Sequence, residues 1–210
     1  MDENRTREKR SALYTTARVL MWLLKALFFP VTYHGTENVE LNAPYIVLSN
    51  HRHWLDPLLI AAKIKRYEVR FMGKKELASG KLSKWALTKM HMIIVDRHHS
   101  DIAAMRACVS TVKEGHVLGI FPEGTRRKDT LMKEIETGSA FIALRSKAPL
   151  IPVLIDKPVK LWRRTNVYFG APIKTDDLYA AEPGNDTVRL LDARIVESIR
   201  GLVPPGEKMD

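Results

Sequence analysis

The sequence has very little cysteine and no long uninterrupted run of apolar residues. Its single cysteine, Cys108, excludes an internal disulfide bond and is typical of a reducing compartment. No small-residue cleavage site follows the apolar residues near the N-terminus, so a removed signal peptide is not expected. Glycine-rich loops of the kinds that cradle nucleotide phosphates are absent, as are internal repeats. These absences exclude a disulfide scaffold, a repeat protein and a typical nucleotide-binding protein.

Acidic residues are outnumbered by basic ones, with 24 Asp and Glu against 34 Lys and Arg and a net charge of +10. Such a charge predicts an anionic partner, which is a nucleic acid, an acidic membrane surface or a phosphorylated substrate. Charge alone does not choose among these partners. The 210 residues, 45% of them hydrophobic, are typical of one domain with an ordinary core.

The segment from Ser11 to Phe29 is strongly apolar and has a helical pattern, but Arg18 and Lys25 interrupt it. Spanning a bilayer takes about 20 mainly apolar residues. A helix lying in the membrane interface, with its cations among the headgroups, therefore fits better. The alternative is a core helix of a soluble domain. We expect residues 1–30 to form a membrane-anchoring segment and residues 31–210 to form the folded domain.

Short apolar runs alternate with helical patterns through the rest of the chain. The predicted strands are a short strand and turn within residues 31–42, then residues 45–48, 68–72, 92–95, 117–121, 150–155 and 166–169. The predicted helices are residues 57–62, 81–89, 100–113, 135–146 and 187–202, the fourth with Gly138 in its interior and the third with Cys108 on an apolar face. This alternation predicts an α/β fold, a sheet with helices on its faces.

A histidine and a carboxylate lie five residues apart in the connection from the second strand to the first helix. His51 and Asp56 would not share one face of a helix, because helical neighbours are three or four residues apart. A bent loop can fold His51 back onto Asp56, which would fix the tautomer and raise the basicity of the second ring nitrogen. His51 is then a candidate general base. In the alternative reading Asp56 is only the N-cap before Pro57, and His51 is only a loop residue.

Other strand ends carry polar residues that can meet the His51 loop, because open α/β folds bind ligands beyond the carboxyl ends of their strands. One turn after a strand contains Glu123, Gly124, Thr125 and Arg126. Its glycine lets the backbone approach a ligand, and its threonine and arginine offer donors to an oxyanion. Lys74 and Arg97 follow two further strands and can add positive charge. The alternative for each cation is a solvated surface charge.

Two further patterns are weak. The histidines at 51, 53, 91, 98 and 99 lack a second paired ligand motif, so no metal is predicted. The sequence Trp162-Arg163-Arg164 can touch RNA, but no nucleic-acid module accompanies it. A nucleic-acid partner is therefore not predicted.

Taken in order, these motifs resemble those of the glycerolipid acyltransferase family. The matching segments are His34–Asn38, Asn50–Asp56, Gly73–Leu77, Ile94–Arg97, Phe121–Arg126 and Leu150–Val153. The second and fifth of them, correctly ordered and spaced, carry most of the signal, and the match extends over about residues 31–175. One departure is His53, where many members have a small residue. This departure leaves the pair formed by His51 and Asp56 intact.

The resemblance implies a fold and a reaction. The fold would be a single mixed sheet flanked by helices, of the glycerol-3-phosphate acyltransferase type, with residues 31–210 as the catalytic domain. The reaction would move a fatty acyl group from acyl-CoA or acyl carrier protein to the sn-2 hydroxyl of lysophosphatidic acid, forming phosphatidic acid for phospholipids. The thioester is a cosubstrate, so no cofactor is implied. Residues 1–30 resemble the amphipathic anchor of bacterial members, which implies a peripheral or monotopic protein on the cytoplasmic face of the membrane, contacting anionic lipid.

The same resemblance implies roles for the candidate residues. His51 would take the proton of the acceptor hydroxyl, and Asp56 would orient His51 and stabilise its imidazolium. The acceptor phosphate would be held by Arg126, Arg97 and Lys74. Residues 123–125 would also bind substrate, with Glu123 positioning an arginine or contacting the glycerol.

Two other functions stay open. The nearer is a related acyltransferase that acts on glycerol 3-phosphate or on another lysophospholipid. The more distant is a non-enzymatic basic protein that binds membranes or RNA. The second would explain the charge and the apolar helix, but not His51 and Asp56 beside the turn at residues 123–126.

Overall fold

A computed structural model of the chain describes residues 16, 20, 28–81, 85, 87–88, 91–95, 102–127, 131–133, 135–136, 138–181 and 184–206. The predicted N-terminal helix lies almost entirely outside these residues, and so does Arg97. The anchor and its boundary at residue 30 therefore stay predictions. Among the described residues, no helix is both long enough and apolar enough to cross a membrane.

The described residues form strands and helices close to the predicted ones. The strands are β1 Val31–His34, β2 Ile46–Ser49, β3 Val69–Lys74, β4 Ile93–Val95, β5 Val117–Ile120, β6 Leu150–Ile155 and β7 Thr165–Phe169. The helices are α1 Asp56–Ala61, α2 Ile102–Lys113, α3 Gly138–Ser146, α4 Asp176–Ala180 and α5 Asn185–Arg200, with short 3-10 turns at Thr36–Val39 and Lys75–Ala78. The first of these turns lies within the strand and turn predicted for residues 31–42, whereas the short helix α4 and the turn at Lys75–Ala78 were not predicted. The predicted helix at residues 81–89 lies mostly outside the described residues.

The strands form one mixed sheet in the order β1-β7-β6-β2-β5-β3-β4. All neighbouring pairs are parallel except β6 and β7, which are antiparallel. The carboxyl ends of β2 to β6 therefore meet at one edge of the sheet, here called the carboxyl edge. Because β1 and β7 run the opposite way, they begin at this same edge. The predicted single mixed sheet flanked by helices is confirmed.

Two apolar cores lie on the two faces of the sheet. Along β2, Ile46 and Leu48 join one core while Val47 joins the other, as the alternation of side chains along a strand requires. Helices α2, α3 and α5 cover the first face, where Cys108 is fully buried as predicted. Helix α1 covers the second face. The buried strands hold the loops that follow them in fixed positions.

The fourth predicted helix begins three residues later than expected. Helix α3 starts at Gly138, so this glycine is not in the interior of the helix. The preceding backbone instead packs on the turn after β5, where the Glu136 N–H donates to the Pro122 carbonyl at 2.7 Å. This tertiary contact prevents the extra turn that the apolar pattern predicted.

Gly119 in β5 leaves space for an aromatic ring from the neighbouring strand. It pairs with Phe71 of β3, and a Cβ at position 119 would lie 2.2–2.9 Å from three atoms of that ring. The Phe71 ring in turn stacks on Phe121, with ring centroids 5.7 Å apart. Glycine at 119 therefore leaves the space that the Phe71 ring occupies when it stacks on Phe121.

We expect Gly119→Ala to destabilise the fold by about 1–3 kcal/mol, because it overpacks this site. For a chain of this size, each 1 kcal/mol lowers Tm by about 2–4 °C. Gly138→Ala is the matched control, because nothing lies within 4 Å of a Cβ at that position. Thermal unfolding followed by circular dichroism measures both effects. Adding Phe71→Leu to Gly119→Ala should restore part of the loss, and no restoration would show that Phe71 is not the source of the overpacking.

Candidate functional site

The loop after β2 brings His51 and Asp56 together at the carboxyl edge. His51 Nδ1 lies 2.8 Å from Asp56 Oδ2, the Asp56 side chain is fully buried, and the His51 ring is 18% exposed. The carboxylate fixes the Nδ1–H tautomer, which directs the lone pair of Nε2 away from Asp56. The contact that the five-residue spacing allowed is therefore present, and the ring of this candidate base stays partly exposed.

Asp56 is not the N-cap of α1, so that part of the sequence analysis is wrong. The helix begins at Asp56 itself, and Leu55 occupies the cap position. Asp56 Oδ2 accepts the backbone N–H groups of Arg52 and His53, both at 2.7 Å. These donors precede the helix, so the carboxylate turns back into the loop instead of capping the helix ahead of it. One oxygen atom thereby holds the loop backbone and the His51 ring together.

Glu123 joins the turn after β5 to this loop. It is 4% exposed, its Oε2 accepts the His51 N–H at 3.0 Å, and its Oε1 accepts the Met132 N–H at 2.9 Å. The His51 carbonyl accepts the Arg127 N–H at 3.0 Å, so the turn binds the His51 backbone on both sides. The carboxylate thus folds inward beneath the loop onto backbone donors, and the expected positioning of an arginine by Glu123 stays a prediction. A contact with substrate glycerol stays a prediction.

Two residues that support the site were not identified as such from the sequence. Phe121 stacks on the His51 ring with a centroid distance of 4.1 Å and an interplanar angle of 21°. Asn50 exchanges two hydrogen bonds with the backbone of Ile155 in β6, at 2.8 and 2.9 Å. The sequence did carry a signal for Asn50, because it directly follows a predicted buried strand. A polar side chain buried there is nearly always hydrogen-bonded, and so can tie the loop to a neighbouring strand.

The turn after β5 also brings positive charge to the carboxyl edge. Gly124 has φ 67°, and its N–H donates to the Phe121 carbonyl at 2.9 Å, so the turn needs glycine there. Thr125 and Arg126 are exposed beyond it. The pKa of His53 is lowered, chiefly by burial, and the positive charge of nearby Arg126 also lowers it. The structure thus places Arg126 beside the His51 loop.

The two other predicted cations differ in what the structure shows. Lys74, half-buried, ends β3 at the carboxyl edge and pairs with Val95, the last residue of β4. Arg97 lies two residues beyond Val95 and outside the described residues, so its place in the site stays a prediction.

No metal centre accompanies the described part of the site. Across the described residues, no three His, Cys, Asp or Glu side chains are grouped so that they could hold a metal ion.

Comparisons with known proteins identify the family of the chain. A family model described as acyltransferase matches residues 30–156. A 1-acyl-sn-glycerol-3-phosphate acyltransferase of Bacillus subtilis is 30% identical over 61% of this chain and 63% of its own length. One from Streptococcus pneumoniae is 27% identical over 84% of this chain and 69% of its own length. One from Cocos nucifera is 29% identical over 89% of this chain and 62% of its own length.

A solved structure shows the same fold. The crystal structure of the 1-acyl-sn-glycerophosphate (LPA) acyltransferase PlsC from Thermotoga maritima superposes with a TM-score of 0.71 at 20% identity, covering 96% of this chain and 86% of that one. The family model spans the loop after β2, the end of β3 and the turn after β5, which together hold every described candidate residue. The chain therefore belongs to the acyltransferase family.

Proposed function

We propose that this chain is a 1-acyl-sn-glycerol-3-phosphate acyltransferase. It would transfer a fatty acyl group from acyl-CoA or acyl carrier protein to the sn-2 hydroxyl of lysophosphatidic acid and release phosphatidic acid. The observation that carries the proposal is the His51 ring held at 2.8 Å by a buried carboxylate, with the Arg126 turn bound to the same loop. The relatives, each named a 1-acyl-sn-glycerol-3-phosphate acyltransferase, support this choice of acceptor.

The geometry supports direct transfer through one general base. His51 Nε2 takes the proton of the acceptor hydroxyl as its oxygen attacks the thioester carbonyl carbon. The buried charge of Asp56 stabilises the imidazolium that forms. When the tetrahedral intermediate collapses, the C–S bond breaks and the imidazolium returns its proton to the thiolate. The products are an ester and a free thiol, and no acyl-enzyme is needed.

Recognition of the acceptor would use the cations at the carboxyl edge. Arg126 can bind a phosphate in two-point fashion, and Lys74 and Arg97 would add charge from the neighbouring strand ends. Residues 1–30 would hold the enzyme on one leaflet, where the acceptor lies. An assay of thioester consumption with lysophosphatidic acid, glycerol 3-phosphate and other lysophospholipids, using each donor, tests the proposed acceptor and donor together. Equal turnover of all acceptors would contradict the assignment.

We expect His51→Ala to lower kcat by about 10²–10⁴-fold, the usual contribution of general acid–base catalysis. Asp56→Asn should lower kcat by about 10²-fold, because an amide oxygen can replace Oδ2 as acceptor but does not stabilise the imidazolium. No hydrogen bond of Oδ1 is lost when the NH₂ group takes its place, since Asp56 Oδ1 has no partner among the described residues. The measurement is transfer at saturating donor and acceptor.

The matched control is His34→Ala, because His34 is an exposed histidine at the end of β1, on the opposite edge of the sheet. It should keep wild-type kcat. A folded His51→Ala protein with near wild-type turnover would end this mechanism.

We expect Glu123→Gln to lower both Tm and kcat. Glutamine keeps one acceptor but turns its NH₂ group toward a backbone N–H, and such an unsatisfied buried donor costs about 1–3 kcal/mol. The displaced His51 backbone should reduce kcat more than it changes KM. Glu136→Gln is the control, because the side chain of Glu136 is exposed and its backbone packs on the turn that holds Glu123. A raised KM for the acceptor with unchanged Tm would instead indicate that Glu123 contacts the glycerol.

We expect Arg126→Ala to lower kcat/KM for lysophosphatidic acid by about 10- to 150-fold, since a charge-assisted hydrogen bond contributes about 1.5–3 kcal/mol. Arg126→Lys should recover only part of the loss, because lysine lacks the planar fork. The dephosphorylated acceptor should be affected much less. Arg145→Ala, at an exposed arginine on α3, is the control. Equal slowing with both acceptors would show that Arg126 does not read the phosphate.

A further inference from the structure

The loop between β6 and β7 exposes two large apolar side chains in a row. Leu161 is 51% exposed and Trp162 is 72% exposed, the highest value among the exposed large hydrophobic residues described. Single exposed apolar residues are common on protein surfaces, but adjacent ones at a loop tip indicate a contact surface. The proposed transfer reaction uses neither residue.

Hydrogen bonds hold this tip in place. At its base, Asp156 accepts the N–H of Asn166 at 2.7 Å and its side-chain amide at 2.8 Å. Near its end, Lys160 and Arg163 form a β-bridge, and the Trp162 N–H donates to the Phe28 carbonyl at 2.8 Å. Trp162 has φ 55°, a backbone conformation that is uncommon for a bulky residue. The surrounding hydrogen bonds therefore hold Trp162 in this uncommon backbone conformation, with its indole exposed.

Cations surround the apolar pair. The exposed basic residues of the loop are Lys157, Lys160, Arg163 and Arg164, and no acidic residue occurs between positions 157 and 164. An exposed tryptophan and leucine among cations suit a membrane interface, where rings enter the boundary region and cations remain among anionic headgroups. RNA binding by the same residues would need stacking platforms and a groove, and the exposed leucine favours lipid instead.

Strand direction places the loop at the carboxyl edge. It follows β6 and precedes β7, and so joins the two strands at the same edge as the His51 loop. Two further apolar residues are exposed at this edge, Phe28 before β1 at 39% and Trp54 within the His51 loop at 64%. One side of the domain thus carries the site, the end of the N-terminal segment and the tip.

We propose that Leu161 and Trp162 insert into the interface of an anionic bilayer, with Lys157, Lys160, Arg163 and Arg164 on the headgroups. This second membrane contact adds to the predicted anchor at residues 1–30, which the tip touches at Phe28, and it orients the carboxyl edge toward the lipid surface. It goes beyond the proposed function, and its test does not depend on turnover.

The test is partitioning of the full-length protein onto vesicles of phosphatidylcholine containing phosphatidylglycerol, measured by sedimentation over a lipid titration. Leu161→Ser with Trp162→Asn should lower the partition coefficient at least about tenfold, because both side chains leave the apolar phase. Asparagine at 162 tolerates the left-handed backbone, so the variant should fold. Leu190→Ser is the matched control, since Leu190 is also 51% exposed and lies on α5. It should stay within about twofold of wild type.

Two further measurements separate the contributions of charge and insertion. Arg163→Gln with Arg164→Gln should weaken binding to the anionic vesicles and leave binding to pure phosphatidylcholine unchanged. A protein whose sole tryptophan is Trp162 should shift its emission to shorter wavelength on these vesicles and be quenched by brominated lipid. Unchanged partitioning of the double variant, or a sole Trp162 that is not quenched on bound vesicles, would overturn the proposal. Lost affinity for a labelled RNA hairpin with unchanged vesicle binding would overturn it in favour of RNA.

Discussion

The candidate site depends on one oxygen atom, Oδ2 of the buried Asp56. It accepts the imidazole N–H of His51 and two backbone N–H groups of the same loop. A buried carboxylate is costly unless donors surround it, and each donor here comes from the segment that it must shape. The charge that stabilises a protonated His51 therefore also folds the loop that presents His51. Because one group does both, removal of the side chain would disturb position and electrostatics together, whereas exchange for an amide separates them.

His51 is supported from several directions by elements far apart in the chain. Glu123 and Arg127 bind its backbone, and Phe121 lies against its ring. The support extends to the last helix, where the Arg200 guanidinium donates to the carbonyls of Leu131 and Met132 at 3.1–3.4 Å. Met132 in turn donates its N–H to Glu123. A continuous set of hydrogen bonds thus runs from the end of α5 to the backbone of His51, and surrounding contacts of this kind can hold a functional side chain within narrow limits.

The sequence predicted the parts of the structure that local patterns determine. Apolar runs and their periodicity identified all seven described strands, and the α/β class predicted that loops after successive strands would meet. The contact of His51 with Asp56 followed from six consecutive residues. The prediction that Asp56 is an N-cap was wrong because its carboxylate accepts N–H groups of the preceding loop and not those of the helix. Local rules for helix ends do not consider such donors. The contacts of Glu123 were beyond prediction for a similar reason, since Met132 lies nine residues further on, outside the turn that local patterns identify.

The carboxyl edge must satisfy two opposed requirements if the proposed acceptor is correct. A phosphate headgroup needs cations in contact with water, whereas an acyl chain needs an apolar surface that excludes it. The polarity of the sheet resolves this conflict by bringing loops of both kinds to one edge. Arg126 lies in the turn after β5 and Lys74 ends the neighbouring β3, and the exposed Trp54, Trp162 and Phe28 lie in loops at the same edge. Because β7 runs antiparallel to β6, the loop that carries Trp162 joins the two strands at that edge. The one antiparallel pairing of the described sheet therefore keeps the whole connection from β6 to β7 at the carboxyl edge, whereas a parallel β7 would need a connection that crosses to the opposite edge.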